Sequence, residues 1–439
     1  MVNYFGKKVV IIGLGKTGLS CINFFLSKKI FPKVIDTQYP SYTKHSIPEG
    51  VIYHFGSWNR GWIVSSDLIV LSPGVSRLHE EIQIAYRKGI EIIGDIELFC
   101  REVDRDKKII SITGSNGKST TASVLTEIAK KANLKVGLGG NIGVPVLELL
   151  NYDYDIYILE LSSFQLEITS TLKSIGAVIL NISENHMDRY PFGMYQYLSA
   201  KLKIYDFAKN CVINIMDNRI WPKEIDKRNF LSFGINSGDY RLNTKKNTIQ
   251  RFEKDLIHIK FIKIIGQHNH MNFLATLCLS EIIGIPINIS LFVISRYSGL
   301  PHRLQVVHKK NGVIWINDSK STNIESTIAA LKSIKANNKI HLLLGGDKRK
   351  SKISRLKEFV SYKKKIRIYC FGKDKLKFGK LRNDSIVLNT LEQCMLKVSK
   401  NTESGDIILL SPACSSLDQF SNFEHRGSVF SEIAKKLGS

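Results

Sequence analysis

Thr113-Gly114-Ser115-Asn116-Gly117-Lys118-Ser119-Thr120 follows the apolar run Ile109-Ile110-Ser111-Ile112 and precedes a segment, Ala122 to Ala132, in which Val124, Leu125, Ile128 and Ala129 fall at helical spacing. The order predicts a strand, a glycine turn and a helix. Amide N–H groups of such a turn point into one concavity, the helix N-terminus adds partial positive charge, and a lysine can reach terminal phosphates. A nucleoside triphosphate suits it, with Mg2+ on the Ser119 or Thr120 hydroxyl. The loop is shorter than G-x-x-x-x-G-K-[ST]: Ile112 stands where that pattern has its first glycine, and Gly114 opens the turn.

The chain around this loop has 439 residues, too many for one ordinary core, and about three domains are expected. Lysine and arginine total 63 against 39 acids, a net charge of +24. The cations are spread along the chain among Ile and Asn rather than gathered in a stripe, so no nucleic acid is expected as a partner. The 7 cysteines are widely spaced, with neither zinc spacing nor a disulfide framework, which predicts a reducing cytoplasm. No apolar stretch reaches the roughly 18 residues of a membrane span. The apolar run after Lys7-Lys8 passes directly into a glycine turn, as a first strand does and a signal peptide does not.

Working back from the loop, Lys8 to Ile12 reads as a buried strand, and Gly13-Leu14-Gly15-Lys16-Thr17-Gly18 completes G-x-G-x-x-G before a helix through Phe24, Phe25 and Leu26. Lys33 to Ile35 is a second strand ending at Asp36, the spacing of a ribose-binding acid. Alone, this favours a dinucleotide such as NAD, although such a turn holds any diphosphate. Leu68 to Leu71, ending in Ser72-Pro73-Gly74, and Ile90 to Ile93 complete the strands of the first domain, with Arg101 to Lys108 as connector.

Working forward, Gly139-Gly140-Asn141-Ile142-Gly143 reads as a turn whose Asn141 can donate to phosphate or sugar oxygens. The strand run Tyr154 to Leu161 places Glu160 at a strand end beside the phosphate loop, where a Mg2+-binding acid belongs. A further strand, Ala177 to Asn181, leads to His186, a candidate for metal or phosphate. In the helix Phe192 to Ala208, Tyr195, Leu198, Leu202 and Tyr205 form an apolar stripe; Lys201 lies near its edge and Lys203 faces water. A lysine buried beside a metal site would lose its proton and could take up CO2 as a carbamate. On spacing alone an ordinary snorkelling lysine is the simpler reading. Beyond Asn210 the pattern is weaker: a hairpin in Ile249 to Ile265, a polar turn from Gly266 to Asn272, and a helix from Phe273 to Ile283.

Ser298-Gly299-Leu300-Pro301-His302-Arg303 opens a third segment. Strands Val313 to Ile316, Ile340 to Leu344, Lys365 to Phe371 and Ile407 to Leu410 alternate with helical stretches, and their tips carry Asp318, Lys320, Thr322, Asp347 and Ser416. The fold class is therefore α/β, with three domains, each on a mostly parallel doubly wound sheet, the central one of P-loop ATPase type. The expected boundaries are 1–98, Rossmann-like, 99–299, and 300–439, again Rossmann-like.

Together with the phosphate loop, Leu159-Glu-Leu-Ser-Ser-Phe-Gln165, His186-Met-Asp-Arg-Tyr-Pro191, Gly299-Leu-Pro-His-Arg303, Asn317-Asp-Ser-Lys320 and Leu410-Ser-Pro-Ala-Cys-Ser-Ser-Leu-Asp-Gln-Phe420 resemble the Mur ligases, over the whole chain. The His186 and Leu410 stretches favour the branch that adds D-glutamate to UDP-N-acetylmuramoyl-L-alanine. The resemblance implies that Gly114, Ser115, Asn116, Gly117, Lys118, Ser119 and Thr120 hold ATP, with Asn272, Arg303 and Asp318. Ser119, Glu160, His186 and a carbamylated Lys201 would place two Mg2+ ions, and Lys118, Glu160, His186 and Lys201 would be catalytic. Gly15, Lys16, Thr17, Asp36, Ser72, Pro73, Gly74 and Asn141 would cradle the UDP-sugar, which displaces NAD. Lys320, Thr322, Asp347, Ser416 and Phe423 would meet D-glutamate, with Arg349 in a place where the family has lysine. Gln38 replaces a common arginine after Asp36-Thr37. A cytoplasmic monomer acting on small molecules, with no membrane partner, is implied.

Overall fold

The computed structural model describes residues 2–39, 47–185, 187, 189–264, 266–334, 336–347 and 353–437. They form two compact units, residues 1–261 with 271–295, and residues 262–270 with 296–439.

The first unit holds two sheets. One is built from β1 (Val9–Ile12), α1 (Lys16–Ser27), β2 (Lys33–Asp36), β3 (Tyr53–Phe55), α2 (Arg60–Val64), β4 (Leu68–Leu71), α3 (Glu80–Arg87) and β5 (Glu91–Ile93), all parallel in the order β3-β2-β1-β4-β5. α4 (Asp95–Glu102) follows it. β1 and β4 are buried along their whole length, which is why they read as unbroken apolar runs rather than alternating ones.

The second sheet contains β6 (Lys108–Thr113), α5 (Lys118–Lys131), β7 (Val136–Gly140), β8 (Ile156–Glu160), α6 (Ser163–Glu167), β9 (Gly176–Ile179), α7 (Gly193–Leu202), β10 (Asn210–Asn214), β11 (Asn229–Ile235), β12 (Tyr240–Asn243), β13 (Thr248–Arg251) and β14 (Lys254–His258). The order is β14-β13-β12-β11-β10-β9-β6-β8-β7, parallel up to β12 and antiparallel beyond it. β6 thus lies between β8 and β9, and the loops leaving all three emerge at one edge. α8 (Gln267–Ile283) and α9 (Ile287–Arg296) follow.

The second unit carries β15 (Gln305–Lys310), β16 (Val313–Asn317), α10 (Ile324–Ser333), β17 (Ile340–Gly345), α11 (Ser354–Ser361), β18 (Ile366–Phe371), α12 (Lys375–Gly379), β19 (Ile386–Val387), α13 (Leu391–Ser399), β20 (Ile407–Leu410) and α14 (Phe423–Leu437). Its order, β15-β16-β20-β17-β18-β19, is parallel apart from β15. Apolar clusters cover both faces, Leu342, Leu344 and Ile368 on one and Leu343, Tyr369 and Leu410 on the other.

The expected α/β class holds, with local corrections. Gly139 and Gly140 belong to β7, so the turn begins only at Asn141. Gln267 to Asn272 is the first part of α8 rather than a polar turn. In α7, Tyr195 is 79% exposed, whereas Tyr197, Ala200 and Lys201 are buried. The helix tightens into a 3-10 turn at Lys203–Tyr205, so a single 100° period drawn back from Tyr205 misplaces the stripe by part of a turn.

Two buried acids on α4 tie the first sheet to the second within one shared core. Glu97 accepts from the amides of Ser170 (2.8 Å) and Thr171 (3.0 Å) and from Arg101 Nε (2.9 Å), and these donors outweigh burial to keep its carboxyl below the usual range. Asp95 is less well served: Gln165 Nε2 lies 3.5 Å from Oδ2, and Oδ1 has no partner. Burial raises its pKa to about 6. The folded state therefore holds this proton more tightly than the unfolded chain, so its stabilising effect is present at acid pH and is lost as pH rises through about 6. The melting temperature of Asp95→Asn relative to the parent is expected to climb between about pH 4 and 6 and to level above pH 7, by the equivalent of about 2–3 kcal/mol. A difference independent of pH would refute this.

Candidate active site

The phosphate loop forms as its residue types require. Gly117 takes φ +86°, the left-handed region, at the N-cap of α5, and a side chain there would collide with Asn272 of α8. Asn272 is 4% exposed and packs against the loop. The loop is braced from the β9 side. Ser115 N donates to Asn181 O (3.0 Å), Asn116 N to Asn181 Oδ1 (2.9 Å), and Ser115 Oγ exchanges bonds with Ser183 N and O. Ser119 and Thr120 are buried at the start of α5.

Two lysines converge on this loop. Lys118 Nζ donates to the carbonyls of Gly114 (2.8 Å) and Ser115 (3.1 Å). Lys201, 1% exposed, donates to Thr113 Oγ1 (3.0 Å) and to the same Gly114 carbonyl (3.1 Å). Its ammonium is buried outright, so snorkelling is excluded. Burial first, and then Lys118, push its pKa well below the ordinary lysine range, with Glu160 opposing. A neutral amine has two N–H groups, matching its two acceptors, and a free lone pair. Lys203 is exposed, as its phase predicts, and donates to Glu167 O (2.8 Å).

Glu160 ends β8 in register with Ile112 of β6 and Gly140 of β7. It is 1% exposed; Oε1 accepts from Asn141 Nδ2 (2.7 Å), while Oε2 is buried with no partner. Carboxylate oxygens in protein interiors are almost always paired, and an unfilled one next to a phosphate loop suits a cation. Asn141 thus holds the acid. Among the described residues no three His, Cys, Asp or Glu side chains gather at metal-binding distance. His186 and Arg349 lie outside the described residues.

A second cradle lies on the first sheet. Gly15 and Lys16 are exposed at the N-terminus of α1, with open space beside Gly15, and Thr17 is half-buried. Gly18 lets the helix sit directly on the Gly13 carbonyl. Asp36 braces the turn, accepting from Leu14 N (2.7 Å) and Gln38 N (2.9 Å). Ser72 Oγ donates to Gly13 O (2.7 Å), joining the Ser72-Pro73-Gly74 turn to it.

In the second unit, Asp318 is buried, accepting from Ser321 Oγ (2.5 Å), Ser411 Oγ (2.8 Å) and Leu304 N (3.2 Å). Burial raises its pKa to about 6 against those donors and nearby Arg303. Lys320 Nζ stands 3.9 Å over the Phe423 ring, and Thr322 N donates to Lys320 O (2.9 Å). Asp347 and Ser415 exchange backbone bonds beside buried Ser416, and Lys373 Nζ reaches Asp347 Oδ2 (3.1 Å). Sequence reading missed Arg426, fully buried on α14, which donates to Ser319 Oγ and O and to Cys414 O, bracing the loops of Lys320 and Ser416. Its signal was its phase: Arg426 falls on the face of Phe423, Gly427, Phe430 and Ala434.

A phosphate loop on a central parallel sheet, a buried acid on the adjoining strand, and a flanking glycine-turn domain define a nucleotide-dependent ligase architecture. Family profiles agree: residues 7–94 match "Mur ligase MurD-like, N-terminal domain", 112–280 "Mur ligase middle domain" and 302–414 "Mur ligase, glutamate ligase domain". The chain belongs to the Mur ligase family. It is 48% identical over 441 residues to the UDP-N-acetylmuramoylalanine--D-glutamate ligases of Escherichia coli (strain K12) and Shigella sonnei, covering 100% of each chain. Solved structures share the fold. A pseudomurein peptide ligase type C from Methanothermus fervidus gives a TM-score of 0.63 at 18% identity, covering 98% of this chain and 100% of that one. MurF ligase from Thermotoga maritima, in complex with ADP, gives 0.63 at 17% identity, covering 99% and 97%.

Proposed function

We propose that this chain is an ATP-dependent ligase that joins D-glutamate, through its amine, to the L-alanyl carboxyl of UDP-N-acetylmuramoyl-L-alanine in peptidoglycan precursor synthesis. The observation that carries this reading is the 48% identity, end to end, to ligases named for that reaction. Residues 1–98 take the UDP-sugar, 99–299 ATP, and 300–439 D-glutamate with part of the nucleotide.

A carboxylate and an amine do not condense in water. The γ-phosphoryl group of ATP moves to the alanyl carboxylate, giving an acyl phosphate and ADP; the glutamate amine then attacks the carbonyl, and the tetrahedral intermediate expels phosphate. The amides of Gly114 to Thr120 and Lys118, released from its loop carbonyls, hold the ATP phosphates. Asn272, Arg303 and Asp318 take the rest of the nucleotide. The orphan oxygen of Glu160 fits Mg2+, with Ser119, His186 and a carbamate on Lys201 completing sites for two ions. Bound Mg2+ offsets charge on the transferring phosphoryl group. Gly15, Lys16 and Thr17 receive the UDP diphosphate, with Asp36, Asn141 and Ser72 to Gly74 around it. Lys320, Thr322, Asp347, Arg349, Ser416 and Phe423 orient D-glutamate. The setting is cytoplasmic and the active form a monomer, in keeping with free thiols at all the cysteines. Among the described residues no helix is long and apolar enough to cross a membrane.

Phosphate release from ATP is the test. It is expected to need UDP-N-acetylmuramoyl-L-alanine and D-glutamate together. Equal release with L-lysine or diaminopimelate in place of D-glutamate would overturn the assignment, and NADH oxidation by a Lys118→Ala variant would revive the dinucleotide reading.

A further inference from the structure

Arg189 has no role in the chemistry above, yet its guanidinium spans the two substrate cradles of the first unit. Nη1 donates to Gly74 O (2.8 Å), and Nη2 to Val75 O (3.0 Å) and Pro73 O (3.4 Å). Three consecutive carbonyls of the turn after β4 therefore face one planar cation, and that turn is itself fastened to the Gly13 turn through Ser72 Oγ. On its other side the guanidinium carbon lies 4.2 Å from the centroid of Phe164. From there an aromatic stack continues, Phe164 on Tyr190 (5.8 Å, 17° between planes) and Tyr190 against Tyr197 (5.3 Å). It ends where the Tyr197 hydroxyl meets Ser115 Oγ of the phosphate loop (3.1 Å). Each link is packed or hydrogen-bonded, so a shift of one loop strains the other.

We propose that Arg189 is a positioning residue that holds the Pro73–Val75 turn, and with it the UDP-sugar, in register with the phosphate loop. This rests on the ligase reading above. In that reaction the acceptor carboxylate must meet the γ-phosphate in line, and both cradles must keep one spacing for the attack to be productive. Arginine is the side chain the site needs: one planar group serves three carbonyls and stacks on a ring at once, which a lysine ammonium cannot do.

Arg189→Ala, Arg189→Lys and Phe164→Leu separate this role from a plain brace. Arg189→Ala is expected to raise KM for the UDP-sugar by ~10-fold or more, the scale of losing charge-assisted hydrogen bonds, while ADP affinity by calorimetry stays within about 2-fold. Added guanidinium ion should recover part of the loss in the alanine variant. Arg189→Lys should fall between alanine and the parent, and Phe164→Leu should raise the same KM by less than alanine does. An unchanged KM for the UDP-sugar, equal losses of nucleotide and UDP-sugar binding, or failure of all three variants to fold would each overturn the proposal. Failure of the ligase reading would look different: the parent enzyme would itself not consume ATP with UDP-N-acetylmuramoyl-L-alanine and D-glutamate.

Discussion

Lys201→Ala is expected to lower phosphate release on the order of 10^3-fold, the scale for removing one preorganised charge-stabilising group. The expectation comes from competition for one oxygen. Lys118 and Lys201 both donate to the Gly114 carbonyl, and burial, then the neighbouring Lys118, lower the Lys201 pKa and so favour its neutral amine. Lys118 is half-buried at the start of α5, whereas Lys201 is enclosed. A neutral lysine adds CO2 to give an anionic carbamate and one proton, and on the proposed reading that anion would join Glu160 in holding Mg2+. Small carboxylates such as formate should therefore restore part of the turnover in Lys201→Ala and none in Lys201→Arg. Because a buried amine is a poor contributor to stability, Lys201→Met should melt no lower than the parent at neutral pH while remaining inactive. An active Lys201→Ala enzyme, or one whose inactivity simply tracks unfolding, would remove Lys201 from the chemistry.

Much of this site could be read from residue order because its chemistry imposes local patterns. Gly117 is legible since the turn needs a left-handed residue, and β6 and β8 are legible since burial on both faces leaves continuous apolar runs. Helical phase turns Lys201 towards protein but favours a snorkelling ammonium, whereas the whole side chain is buried, and Tyr195 in the same stripe is exposed. What escaped has a common cause. β11 carries exposed Phe230, and β3 is a three-residue edge strand, so neither shows the continuous run of a buried strand nor a clean alternation. Gln267 to Asn272 looked like a turn because its side chains are polar, yet Asn269, His270 and Asn272 are buried within a helix. Roles that depend on partners distant in sequence were invisible: Asn141 holding Glu160, Arg189 bridging to residues 73–75, and Arg426 tying Ser319 to Cys414.

Glu160→Gln isolates the acid from its shape. Glutamine keeps the length and can still accept from Asn141 Nδ2, so β7 and β8 should stay joined. What disappears is the charge, an amide nitrogen taking the place of the unpaired oxygen. In the absence of metal the buried charge, with one oxygen unpartnered, costs more than the neutral amide that replaces it, by about 1–3 kcal/mol. The variant is therefore expected to melt no lower than the parent when Mg2+ and nucleotide are withheld. With both supplied the order should reverse, because a ligand that binds the folded state stabilises it by about 2.7 kcal/mol at a hundredfold excess over Kd, and the variant forfeits most of that gain. Turnover should fall on the order of 10^2 to 10^3-fold, with half-saturation moved to higher Mg2+. The crossing of the two melting curves distinguishes a metal-binding acid from a structural one. A structural acid would lose stability in both conditions, and a dispensable one would show the parent's rise with Mg2+ and nucleotide; either result would take Glu160 out of the site.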